Sequence, residues 1–101
     1  MAAMLIEADQ IRRDVLQVAL ADKNITTSAF ATPEEARDVL AVDRKGYRVI
    51  LFGTSSFGDS ARRDFLHHAS YLVDASVRLI DYSLMDMNWS IVDHVVKAHR
   101  V

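Results

Sequence analysis

Hydrophobic positions along this chain switch back and forth between two periods. Ala3-Met4-Leu5-Ile6 is a short apolar run that ends at the acidic Glu7 and Asp9, too short for a helix, and it predicts a first strand. From Gln10 to Lys23 the residues Ile11, Val15, Leu16, Ala19 and Leu20 recur at spacings of three and four, the stripe of an amphipathic helix that ends near Asn24. Ile25 to Phe30 is rich in β-branched side chains, which suit a pleated surface, and predicts a second strand. Thr32-Pro33-Glu34-Glu35 then places a hydroxyl at an N-cap, proline at the first helical position and glutamate at the third, the pattern of a capping box. The helix it opens is expected to bury Ala36, Val39 and Leu40 and to stop by Gly46. Val49 to Phe52 is continuously apolar between Gly46 and Gly53, as in a central parallel strand covered on both faces. Beyond the polar loop Thr54 to Gly58, Asp59 or Ser60 is expected to cap a third helix with Phe65, Leu66, Ala69, Leu72 and Val73 on one side, ending near Asp74. Val77 to Ile80 predicts a fourth strand, and Asn88 a cap for a last helix that turns Ile91, Val92, Val95 and Val96 inward.

This alternation predicts an α/β fold: a parallel sheet of four strands, five at most, with helices on both faces, because right-handed crossovers return over the sheet. The 101 residues suffice for one domain, and no repeat or linker divides residues 1–101. With 50% hydrophobic and 26% charged residues, the composition is that of a folded chain. A net charge of -2 argues against general nucleic-acid binding, which requires a basic excess. The absence of cysteine excludes disulfides, thiolate nucleophiles and Cys-based zinc sites. No apolar run approaches the roughly 20 residues of a membrane span, and Met1 to Asp9 lacks the basic region of a signal peptide, so the expected location is the cytoplasm.

Over Met4 to Gly53 the spacing resembles the CheY-like receiver domains of bacterial response regulators. Met4 to Asp9 is similar to that family's first strand with its acidic pair, Arg13, Leu16 and Leu20 fall at its usual helix positions, and Asn24 matches its following glycine. Thr32-Pro33-Glu34-Glu35-Ala36 resembles the opening of its second helix, and Tyr47 to Gly53 the strand that ends in the phosphate-accepting aspartate. A receiver attacks a phosphoryl group with that aspartate while two acidic residues hold Mg²⁺ to offset the developing charge. At the matching positions this chain has Gly53 for the nucleophile, Ala8 and Asp9 for the acidic pair, with Glu7 expected on the other side of the strand, and Asp81 for the hydroxyl residue after the fourth strand. The chain is also about one βα unit short. Either Val77 to Val101 is the fourth unit and the fifth is missing, or Asp81-Tyr82-Ser83-Leu84 matches the fifth strand, with Met85-Asp86 where the family has Lys-Pro. Both alignments lack the catalytic lysine. The resemblance therefore implies a degenerate receiver that is not an enzyme, holds no metal or cofactor, and works in two-component signalling by contact with a signalling protein or with itself.

Several groups of side chains carry further expectations. Asp9, Asp59 and Asp81 can converge on the C-terminal edge of the sheet as a residual cation site, or Asp9 and Asp59 can simply favour helix N-termini. Arg13 and Arg62, with Thr54 and Ser55, form a candidate anion or nucleotide site at the same edge; the alternative is solvated arginines. Thr54 to Ser60, with its Asp59-Ser60-Ala61, also resembles the phosphorylated serine loop of STAS-domain anti-sigma antagonists, although such a domain opens with a β-hairpin. His67 and His68 are adjacent and His94 and His99 are five apart, so none has the spacing of a helical zinc pair, and no serine lies in a nucleophile elbow. Tyr82, Leu84, Met85, Met87 and Trp89 are material suited either to an interface or to capping the core. A sheet short of one unit leaves an edge to protect, so homodimerisation through the C-terminal unit is expected.

Overall fold

The computed structural model describes residues 2–42, 47–53, 57–71, 77–81 and 89–100. Strand and helix alternate throughout: β1 (Ala2–Ile6), α1 (Gln10–Ala21), β2 (Thr26–Phe30), α2 (Pro33–Val42), β3 (Tyr47–Phe52), α3 (Asp59–Ala69), β4 (Arg78–Asp81) and α4 (Trp89–Arg100). The strands form a four-stranded, all-parallel sheet in the order β2-β1-β3-β4, a flavodoxin-like α/β arrangement. Met4 pairs with Ser28 on one side and Ile50 on the other, and Ile50 in turn pairs with Leu79. No strand pair is antiparallel, so the described residues contain no β-hairpin.

The period-two alternation of β1 and β3 divides the interior into two layers. Ala3, Leu5, Val49 and Leu51 meet Leu16, Ala19 and Leu20 of α1 and Val92 and Val95 of α4. Met4, Ile6, Ile50 and Phe52 point the other way, onto Ala36 and Leu40 of α2 and Phe65 and Ala69 of α3. A large apolar side chain buried in this way contributes about 1.5–3 kcal/mol, and β1 and β3 supply such residues to both layers. That is why β1 and the Val49 to Phe52 part of β3 read as unbroken apolar runs, Arg48 near the start of β3 being only partly buried. Leftward movement along the sheet, from β1 to β2, uses the α1 face, and rightward movement, from β2 to β3 and from β3 to β4, uses the α2–α3 face. This is the right-handed rule for parallel crossovers. After β4 the chain returns to the α1 face.

Local chemistry explains most element ends. Thr32 Oγ1 accepts the Glu35 N–H at 3.3 Å, the forward bond expected of the capping box. Asn24 has φ +63°, the left-handed geometry that ends the α1 turn and that asparagine tolerates better than most residues.

Four expectations need correction. Ile11 and Val15, assigned to the buried stripe of α1, are 75% and 56% exposed, because only Leu16, Ala19 and Leu20 lie toward the sheet. Neither Asp59 nor Ser60 caps α3; the cap is Gly58 at φ +90°, with no side-chain bond, and Asp59 is the first helical residue. The helix ends at Ala69 with Ser70 as its C-cap rather than running to Asp74, since the backbone turns at Ser70 and Tyr71. Val39 is only partly covered, and Pro33 takes the buried place beside Ala36 and Leu40. Boundaries elsewhere move by a residue or two: α1 stops at Ala21, β3 begins at Tyr47 and β4 extends to Asp81. The expected cap Asn88 and the stop at Gly46 lie outside the described residues.

Candidate functional site

In a doubly wound sheet, ligands gather where neighbouring strands send the chain in opposite directions. Here that point lies between β1, which leads to β2, and β3, which leads to β4, so the crevice is bordered by residues 7–9 and by Gly53. Two backbone bonds extend the sheet into this edge: Glu7 N–H donates to Phe30 O at 3.0 Å, and Gly53 N–H to Ile6 O at 2.8 Å. Gly53 is buried. The position that the receiver resemblance gives to a nucleophile therefore carries no side chain and is hydrogen-bonded to the end of β1.

Around it, the acidic and basic side chains are turned to the chain's own groups. Glu7 is fully buried, and its Oε2 accepts the Asp9 N–H at 2.9 Å. Asp9 is the N-cap of α1: its Oδ1 accepts the Arg12 N–H at 3.0 Å. Arg13 reaches back one helical turn, and its Nη1 donates to Glu7 O at 2.9 Å and to Ala8 O at 3.2 Å. One short segment is thus fixed three times, by a carboxylate beneath it, a cap at its end and a guanidinium across its carbonyls. On the far side of the crevice, Arg62 Nε of α3 lies 3.3 Å from Asp81 Oδ2 at the end of β4. Asp81 is in register with Phe52, whose ring stacks at a tilt against Phe57 at 5.6 Å and Phe65 at 5.3 Å. These rings close the edge on the α2–α3 side.

The candidate groups distribute as follows. Arg13 and Arg62 do come to the C-terminal edge, as the anion-site expectation requires. Arg13, however, donates to backbone carbonyls, and Arg62 is ion-paired with Asp81 while its buried Nε makes no hydrogen bond among the described residues; Thr54 and Ser55 lie outside the described residues. Asp9, Asp59 and Asp81 do not form a cation site: among the described residues no group of three or more His, Asp or Glu is placed to hold a metal ion. Asp9 caps α1, Asp59 opens α3 in an exposed position, and Asp81 pairs with Arg62. Ala8 is exposed in the β1–α1 turn. Tyr82, Met85 and Met87 lie outside the described residues, and Trp89 is the first residue of α4.

Two residues matter more than their sequence context suggests. Glu7, expected to lie away from the site, is the buried carboxylate beneath it. Arg13, a candidate either for an anion site or for a solvated arginine, reaches the carbonyls of Glu7 and Ala8 and so spans the loop. A readable signal existed for each: a glutamate just past a strand and two residues before a helix N-cap is placed to accept the cap residue's N–H, and an arginine in the first turn is long enough to reach the preceding carbonyls. No protein-family model and no curated protein matches the chain. No described helix is long and apolar enough to cross a membrane.

Proposed function

We propose that this chain is a receiver-like module without phosphotransfer chemistry, acting in signalling through protein contact rather than catalysis. The observation that carries this reading is Gly53, buried at the end of β3 with its N–H bonded to Ile6 O at 2.8 Å. A phosphoryl acceptor at that point requires a carboxylate, and a metal beside it requires several oxygen ligands that converge on one point. Glu7, Asp9 and Asp81 are each turned to a partner in the chain, which favours a static edge over a reactive one. The sheet order supports the resemblance in outline. Whether β4 is counted as the receiver's fourth or fifth strand, it takes the place beside β3.

The contact face in this reading is the C-terminal unit, with Tyr82, Met85, Met87 and Trp89, and the simplest partner is a second copy. Sedimentation velocity over a range of protein concentrations tests it, with Mg²⁺ and acetyl phosphate as an added arm. The expected outcome is reversible self-association that Trp89→Ala weakens and acetyl phosphate leaves unchanged. A monomer at every concentration, or an association switched by the phosphodonor, overturns the proposal.

A further inference from the structure

The exposed side of α1 is the feature that neither the fold nor the contact reading uses. Ile11, Val15 and Val18 are 75%, 56% and 63% exposed, and at spacings of four and three they form one apolar ridge along a helix whose opposite side is locked into the core by Leu16 and Leu20. Two open depressions adjoin it, one on the ridge itself and one beside it. One, of about 340 Å³, is lined by Asp14, Val15, Val18, Ala19 and Asp22. The other, of about 670 Å³, runs between α1 and the start of β2 past Val18, Ala21 and Ile25. An apolar ridge with adjoining depressions is relief against which a second helix can pack.

Charge identifies the helix. The next position along the ridge after Val18 is Asp22, and Asp14 stands beside Val15, so the charged side chains lining the smaller depression are both acidic. A second copy of α1 fits badly. Laid parallel it sets Asp22 against Asp22, and laid antiparallel over the whole ridge it brings Asp22 to Ile11 and the exposed Arg12 but leaves Asp14 opposite Ala19, with no cation facing it. We infer that the α1 ridge docks an amphipathic helix of another protein whose apolar stripe is flanked by lysine or arginine, placed to meet Asp14 and Asp22. Such a helix covers Ile11, Val15 and Val18 and pairs its cations with the two carboxylates. The face is separate from the C-terminal unit. The inference rests on the contact-module reading only in that it supplies that module with a partner.

The test uses the full chain, labelled with ¹⁵N, and two model peptides of helical period, one leucine–lysine and one leucine–glutamate. The expected result is that the lysine peptide shifts the amide signals of α1, centred on Ile11 to Asp22, in a salt-sensitive way, while the glutamate peptide does not. The double variant Asp14→Asn, Asp22→Asn weakens binding by roughly tenfold. Val15→Asp abolishes it with the native spectrum elsewhere preserved, since the side chain is largely in water. Equal response to both peptides, shifts centred away from α1, or no response at all overturns the inference. None of those results bears on self-association through the C-terminal unit, which the peptide-free sedimentation experiment reads independently.

Discussion

At the scale of single residues, the C-terminal edge is held by bonds that each have a measurable weight. Thr32→Ala removes the acceptor of the Glu35 N–H, and Asp9→Ala that of the Arg12 N–H; each loses about 1 kcal/mol of stability, read as a lower urea midpoint with unchanged slope. Glu7→Ala is expected to exceed both. It opens space in a fully buried position and strips the Asp9 N–H of its acceptor, a loss of about 1–3 kcal/mol in the same assay. If Glu7→Ala costs no more than the caps, the carboxylate is not what holds the β1–α1 corner. Gly58→Ala carries a different cost. Nothing lies within 4 Å of the added methyl, so any loss comes from φ +90°, a region nearly closed to other residues, and is expected at about 1–3 kcal/mol. The capping-box residues were legible because their chemistry is local. Gly58 was not, since a cap without a side-chain bond leaves no donor or acceptor pattern in the sequence, and the neighbouring Asp59 offered a more conventional one.

At the scale of elements, α1 shows what periodicity reveals and where it stops. Spacing of three and four identified the helix and three of its buried residues, but apolar residues also continue around to the solvent side, and a wheel alone does not say where the sheet lies. The distinction is testable. Leu20→Ala, within the layer formed with β1 and β3, is expected to cost about 2–5 kcal/mol, whereas Val18→Ala, on the ridge, stays within about 0.5 kcal/mol. Comparable losses at the two positions would mean that the ridge is covered. The β2 edge carries a second prediction. Gln17 Nε2 donates to Thr27 O at 3.2 Å, occupying a carbonyl on an edge strand that has neither lysine nor proline to discourage pairing. Gln17→Ala frees that acceptor and is expected to raise strand-mediated aggregation, measured by light scattering at equal stability; an unchanged scattering curve rules out such a guard. β1 and the Val49 to Phe52 part of β3 are legible because burial on both faces writes itself as an unbroken apolar run, whereas Arg48 breaks that run and hides the two-residue start of β3 at Tyr47. The end of α3 is not legible, because Leu72 and Val73 continue its apolar spacing past the turn at Ser70 and Tyr71.

At the scale of the whole molecule, the βα alternation in the sequence was enough for an all-parallel sheet with helices on both faces, and crossover handedness does the rest. What alternation does not disclose is how the edge is used. Asp9, Asp81, Arg13 and Arg62 read as a polar cluster open to a cation or an anion, because a sequence lists charges without showing which backbone groups they meet. In the folded chain their described contacts join α1 to β1 and α3 to β4, and the Gly53 N–H is bonded to Ile6 O between them. In the proposed reading this edge is scaffold and not a phosphotransfer site. Intact-mass spectrometry after incubation with acetyl phosphate and Mg²⁺ under non-denaturing, neutral conditions tests it most directly. The account predicts an unchanged mass, and a stoichiometric, Mg²⁺-dependent gain of one phosphoryl group would contradict it.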